Sequence, residues 1–314
     1  MNSRHWLVMA FLSTLLTACG GGDNGDSGNN TTTGTPNNDG STGINGNAVI
    51  DAQNAQAMVE GAFGSFGGGA ANGGKPLNTA GIGSMTNLMV YDIDLTGALS
   101  APGQDVTTTK NCTSGTMEQT VNYDSAAGDI AGTVTFNQCK EHGITFNGPL
   151  DFSGDYDAAT GGFTWRTLQL KDIATTVNGD TRTLSGDTSI SLVNDALTTL
   201  SNLTITDNST GKSEKLENYE ISGTDCQYLT GQKNLCSPVW ITGRYYDANN
   251  QRIDIKSIYS LYTHPGDSWP SHGKMQLLGS NGSIQISPLN NREYTMEVDA
   301  DGDGNYETTE TKQW

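Results

Sequence analysis

An alternation of apolar and polar residues with a period of two runs through most of this chain, and it limits the fold more than any other feature. Met89, Tyr91, Ile93 and Leu95 alternate with Val90, Asp92 and Asp94, and Ile130, Gly132, Val134 and Phe136 alternate with small or hydroxyl residues. Ile144, Phe146, Gly148, Leu150 and Phe152 repeat the pattern. So do Ile190 with Leu192, Leu203 with Ile205, Val239 with Ile241, Ile253 with Ile255, and Ile284 with Ile286, before Tyr294, Met296 and Val298 close the series. Successive side chains of a strand point to opposite faces, so each run has one apolar and one polar side. Antiparallel sheet with a single wet face has this signature, whereas buried parallel strands read as continuous apolar runs. The 40 glycines, with abundant Thr, Asn and Asp, favour turns and short strands over helices. The expected body is therefore all-β, an antiparallel meander in the form of an open half-barrel or a sandwich.

A weak internal repeat supports hairpins in sequence order. Tyr123-Asp124, Tyr156-Asp157 and Tyr246-Asp247 each open a short turn that exits on an apolar residue, at Ile130, Phe163 and Ile253. An aspartate can accept from backbone amides two residues on, and glycine takes the positive φ of tight turns, so each unit reads as strand, loop, strand. Asn178-Gly179 and Asn281-Gly282 add two further hairpin signals. The repeat spacing is irregular, which argues against a propeller or solenoid. A transmembrane barrel is disfavoured too, because Thr308, Glu310 and Lys312 would share the lipid-facing row with Trp314.

The first part of the chain is organised differently. Arg4 and His5 precede an apolar run from Trp6 to Leu16, followed by small residues and Cys19, the layout of an export signal. The run is shorter than the roughly 20 apolar residues a membrane-spanning helix needs. Leu16-Thr17-Ala18-Cys19 resembles the lipobox of bacterial lipoproteins. That resemblance implies cleavage after residue 18, lipidation of Cys19 and a membrane partnership through the lipid. Gly20 stands where an aspartate would imply retention in the inner membrane, so the resemblance implies a bacterial outer-membrane location, on its periplasmic or its surface face. Residues 19–47 are Gly, Asn, Asp, Ser and Thr with almost nothing to bury, and read as a flexible tether with a reach of about 30 Å. Residues 48–78 hold one amphipathic helix, with Ala55, Met58, Val59, Ala62 and Phe63 on a single stripe and Asp51 as its cap, then a glycine-rich stretch. Residues 79–314 form the β body, with a possible subdivision near 223.

Charge and cysteines narrow the function classes. A net charge of -18 with only 16 basic residues, none clustered, repels phosphate backbones, so no nucleic-acid partner is expected. With Cys19 assigned to lipid, Cys112, Cys139, Cys226 and Cys236 remain, an even number that reads as two disulfides in an exported chain. Three pairings are possible, and pairing sequence neighbours, Cys112 with Cys139 and Cys226 with Cys236, is the economical one. No C-x-x-C motif points to a redox or clustered-metal site.

The chemistry-bearing stretch is Asp299-Ala300-Asp301-Gly302-Asp303-Gly304, followed by Asn305, Tyr306, Glu307, Thr308, Thr309 and Glu310. Hard oxygen donors at this density suit calcium. The spacing resembles the twelve-residue loop of EF-hand proteins, which implies ligands from Asp299, Asp301 and Asp303, a carbonyl from Asn305 and a bidentate Glu310. The flanks alternate like strands, so a strand-loop-strand variant is expected, against the alternative of a plain acidic turn. A second cluster, His264 to His272 with Trp269 and nearby Tyr259 and Tyr262, has the parts to bind a metal or stack a sugar ring. Its prolines and glycines instead mark an exposed loop. No G-x-S-x-G or catalytic constellation occurs, and paired acids such as Asp155 and Asp157 read as acidic surface. The expected function is a non-catalytic, lipid-anchored envelope scaffold or interaction module, stabilised by calcium, with a protein or a hydrophobic ligand as its partner. The alternative is a carrier of a hydrophobic ligand, similar in outline to the open half-barrel of periplasmic lipoprotein carriers.

Overall fold

Strands that follow one another in sequence are hydrogen-bonded neighbours throughout the sheet. The computed structural model describes residues 47–64, 94–141, 143–157, 162–177, 179–193, 196–224, 238–262 and 270–314. Among them are β1 (Val106–Asn111), β2 (Ser114–Asp124), β3 (Asp129–Glu141), β4 (Ile144–Asp157), β5 (Gly162–Val177), β6 (Asp180–Val193) and β7 (Ala196–Asp207). The series continues with β8 (Ser213–Thr224), β9 (Pro238–Tyr246), β10 (Arg252–Tyr262), β11 (His272–Leu278), β12 (Ser283–Pro288), β13 (Glu293–Asp299) and β14 (Thr308–Gln313). They form one 14-stranded sheet in the order β1 to β14, with β1 and β14 as its edges. The all-β antiparallel meander is thus a single open sheet, in place of the two separate sheets of a sandwich. Gly223 of β8 pairs with Val239 of β9.

Local chemistry explains the meander. Asp124 accepts from the amides of Ala126 and Ala127 in the β2–β3 turn, and Gly128 closes it at φ 79°. Asp247 does the same for Asn249 and Gln251 between β9 and β10. A turn the alternation did not single out, Asp207 to Gly211, uses the same device, Asp207 accepting from Ser209 and Thr210. Each turn is satisfied by its own side chain, so a strand of fixed register can start on either side of it.

The inner face forms one continuous apolar cluster from Met117 on β2 to Val298 on β13. Phe136 and Phe146 meet across β3 and β4 with ring centroids 5.5 Å apart. Each large apolar side chain fully withdrawn from water here contributes about 1.5–3 kcal/mol.

A sheet this wide buries one face on itself only if it bends, and the bending devices form a seam. Gln138 on β3 (φ 50°), Asp172 on β5 (φ 57°) and Asn218 on β8 (φ 47°) sit at breaks in register. Glycines lie against them on neighbouring strands. A Cβ on Gly115 would fall 2.1 Å from the Gln138 carbonyl, one on Gly148 3.2 Å from that of Asp172, and one on Gly243 2.8 Å from that of Asn218. Gly186, at φ 129°, continues the row, with the Asn202 carbonyl 2.0 Å from its Cβ position. Paired bulges and glycines of this kind introduce curvature and local twist into a sheet.

Helix α1 (Ala55–Gly64) begins beyond Asp51, whose carboxylate accepts from the amides of Gln53 and Asn54 at 2.9 and 2.8 Å. Ala55, Met58, Val59 and Ala62 are buried, and Gly61 lies so close to Tyr245 of β9 that a Cβ would stand 2.4 Å from its hydroxyl oxygen. A second, short helix, α2 (Thr96–Ser100), corrects one expectation. Asp94 and Leu95, the end of the alternation that starts at Met89, do not extend a strand; Asp94 accepts from the Thr96 amide at 2.9 Å and starts a helical turn. Met89 to Ile93 lie outside the described residues, as do Cys19, Cys226, Cys236 and the span from His264 to Trp269. Cys112 and Cys139 are joined in a disulfide that fastens the β1–β2 corner to β3. No helix among the described residues is long and apolar enough to cross a membrane.

Candidate metal centre

The alternation of β13 delivers Asp299 to the loop before β14. Tyr294, Met296 and Val298 point into the core, and Asp299, paired with Ser283 of β12, ends the strand with only 6% of its surface exposed. The chain then curls around this carboxylate, through Gly302 at φ 77° and Gly304 at φ 88°. Both glycine amides donate to Asp299, at 2.7 and 3.2 Å. Asp301 accepts from the Asp303 amide at 3.1 Å, Asp303 from the Asn305 amide at 2.7 Å, and Glu307 from the Ala300 amide at 2.8 Å. Hydrogen bonds from the Asn305 backbone and side chain hold the Asp303 carboxyl below its usual range.

Asp299, Asp301, Asp303 and Glu307 each offer an oxygen, and these oxygens all lie within 4.8 Å of one another. Four carboxylates converge on a volume the size of one coordination sphere and could hold a metal ion. Without a cation the mutual repulsion of the carboxylates opposes this arrangement, and the amide donors act against it.

One ligand position expected from the EF-hand resemblance is placed differently from the first three. Glu310 is not in the cluster. It pairs with Met296 inside β14, and its carboxylate sits 2.6 Å from the Lys312 ammonium. An EF-hand loop leads into a helix, which turns its twelfth residue back toward the ion; here the chain is already extended at Thr308 and carries Glu310 away. Glu307, the ninth residue of the loop, takes the fourth position. The Asn305 side chain donates to Asp303 at 3.0 Å and braces that ligand.

The loop is braced from behind by a residue that sequence reading placed only in a turn. The Asn281 side-chain amide donates to the Ala300 carbonyl and, at 2.9 Å, to the Ile50 carbonyl, while its own oxygen accepts from the Ile50 amide at 2.7 Å. Gly282 beside it has no room for a side chain, since the Asp299 carbonyl lies 1.9 Å from its Cβ position. Tyr306 adds a bond from its hydroxyl to the Gln285 side chain at 3.3 Å.

Compared with family models, curated proteins and solved structures, the chain matches none.

Proposed function

We propose that this chain is a lipid-anchored protein of the bacterial cell envelope, held at the outer membrane through Cys19, whose β body is a non-catalytic scaffold or interaction module stabilised by calcium at the β13–β14 loop. The observation that supports the scaffold reading is the burial of the inner face among the described residues. Phe146, Leu150, Ile173, Leu184 and Ile241, spread from β4 to β9, keep no water-accessible surface. Side chains lining a chamber large enough for an acyl chain would keep some, and a carrier requires such a chamber. Calcium is favoured over magnesium by the number of carboxylates. Calcium takes six to eight oxygen ligands and accepts several carboxylates at one site, whereas magnesium usually keeps several waters and takes one or two carboxylates, so a cluster of four carboxylates suits calcium.

The anchor is tested by labelling with palmitate. Wild type should incorporate label and partition with membranes, and Cys19→Ser should do neither; an unlabelled wild type overturns the localisation. Native mass spectrometry of the purified protein separates scaffold from carrier, since a stoichiometric copurified lipid would favour the carrier. Calcium is tested by thermal unfolding in chelator and in excess calcium, where saturation at a hundredfold excess over Kd adds about 2.7 kcal/mol.

A further inference from the structure

The outer face of the sheet is lined with hydroxyl ladders, as in the Thr107–Thr120, Ser153–Thr167, Thr176–Thr181 and Thr206–Ser213 pairs. Between these ladders lie ion pairs such as Arg166–Asp129 and Arg244–Glu217, and on β9 and β10 the face carries large aromatic rings. Trp240 is 45% exposed, Tyr259 64% and Tyr262 36%, and among the described residues the remaining exposed large apolar side chains are Val49 and Leu289, elsewhere in the chain. Tyr262 pairs with Pro238, two residues along β9 from Trp240, so these two rings are diagonal neighbours on adjacent strands.

Tyr259 is on this face because the strand has been altered to put it there. Ile253 and Ile255 are buried, and the Ser257 hydroxyl accepts from the Ile241 amide, so strict alternation would send Tyr259 inward as well. Instead Ser257 pairs with Met275 but Tyr259 with Lys274, an extra residue on β10 that moves Tyr259 to the outer side. A second register shift, between Tyr259 and Tyr262, brings Tyr262 opposite His272. Bulges re-aim side chains in this way beside functional surfaces. The core gains nothing from a tyrosine turned into solvent.

We infer that Trp240, Tyr259 and Tyr262 form a stacking platform for an uncharged saccharide chain. Flat rings with exposed faces attract partners that present apolar C–H faces or π-systems, and the surroundings select among these. The net charge of -18 opposes nucleotides and other phosphate-bearing rings, which removes nucleic acid. Ser222, opposite Trp240, with Lys274 and His272, opposite the two tyrosines, surround the rings with hydroxyl and nitrogen groups suited to sugar hydroxyls. A neutral oligosaccharide uses both kinds of surface, stacking its ring faces on the aromatics and directing its hydroxyls to the rim. This platform is independent of the calcium loop and of the scaffold reading.

The test is isothermal titration of the full chain, in a detergent without a sugar headgroup, with cellohexaose and with the hexamer of N-acetylglucosamine. At least one should bind, Trp240→Ala and Tyr259→Ala should each weaken it by about five- to tenfold, and Tyr259→Phe should retain it. The rings are exposed, so all three variants should melt at the wild-type temperature, and Tyr262→Ala supplies a further truncation should one of them fail to do so. Absence of heat with both hexamers, or unchanged affinity in the alanine variants, overturns the proposal.

Discussion

Asn281 and Ile50, 231 positions apart, are joined as two strand residues would be: the side-chain oxygen accepts from the Ile50 amide at 2.7 Å and the side-chain nitrogen donates to the Ile50 carbonyl at 2.9 Å. Ile50 is fully buried, so no water can replace these bonds. The same nitrogen reaches the Ala300 carbonyl, so one amide ties the N-terminal segment to the acidic loop. Asn281→Ala leaves buried backbone groups unpaired at Ile50 and should cost about 2–4 kcal/mol in urea unfolding. A variant within about 0.5 kcal/mol of wild type would mean that the tie is dispensable.

Charge-neutral substitutions distinguish the two candidate glutamates of the loop. Glu307→Gln should reduce or abolish the calcium-dependent rise in melting temperature, while Glu310→Gln, whose carboxylate faces Lys312, should leave it intact. The reverse result would show that the loop rearranges to the EF-hand ligand pattern when it binds.

The seam of bulges and glycines can be probed at Gly186, where positive φ and a 2.0 Å approach to the Asn202 carbonyl coincide. Gly186→Ala should destabilise by about 2–3 kcal/mol. Gly143, at φ 83° with open space around it, carries the conformational penalty without the clash, and Gly143→Ala should cost only about 1 kcal/mol. Equal effects at the two sites would remove the steric part of the argument.

The Cys112–Cys139 disulfide spans 27 residues and, on the chain-entropy account, should stabilise by about 3.5 kcal/mol. Replacing both cysteines by serine and following urea unfolding measures this directly, and labelling native protein with a thiol reagent should leave Cys112 and Cys139 unmodified.

Acid stability has a local origin on the outer face of β8 and β9. Hydrogen bonds from Lys215, Arg244 and Tyr246 pull the Glu217 carboxyl from its ordinary value down to about 2. Below its ordinary value the unfolded chain binds a proton that the folded chain refuses, so the stabilisation is complete above that value and disappears as pH falls toward about 2. Glu214 behaves oppositely: burial raises it, so its contribution is greatest in acid and is lost as pH rises. The difference in urea midpoint between wild type and Glu217→Gln isolates the first effect. It should be largest near neutral pH and vanish by about pH 2, and a constant difference would remove Glu217 as the cause.

The alternation from Ile130 to Val298, the aspartate turns at Asp124 and Asp247, and the density of carboxylates after Val298 are all legible in the sequence. Each depends on residues within a few positions of one another: a strand shows its two faces to any environment, and an aspartate caps its own turn. One reading of this kind failed where the chain changed course, at Asp94, because a capping carboxylate and an alternating residue look alike in sequence. Tertiary structure decided the rest. Glu307 replaces Glu310 because the path of β14 beyond the loop, fixed by pairing with β13, determines which carboxylate returns to the cluster. Asn281 became a brace, and Tyr259 turned outward, through contacts with Ile50 and Lys274 that no local pattern specifies. Sequence states what each segment prefers, whereas the register between strands, set by packing across the whole sheet, decides which side chains meet.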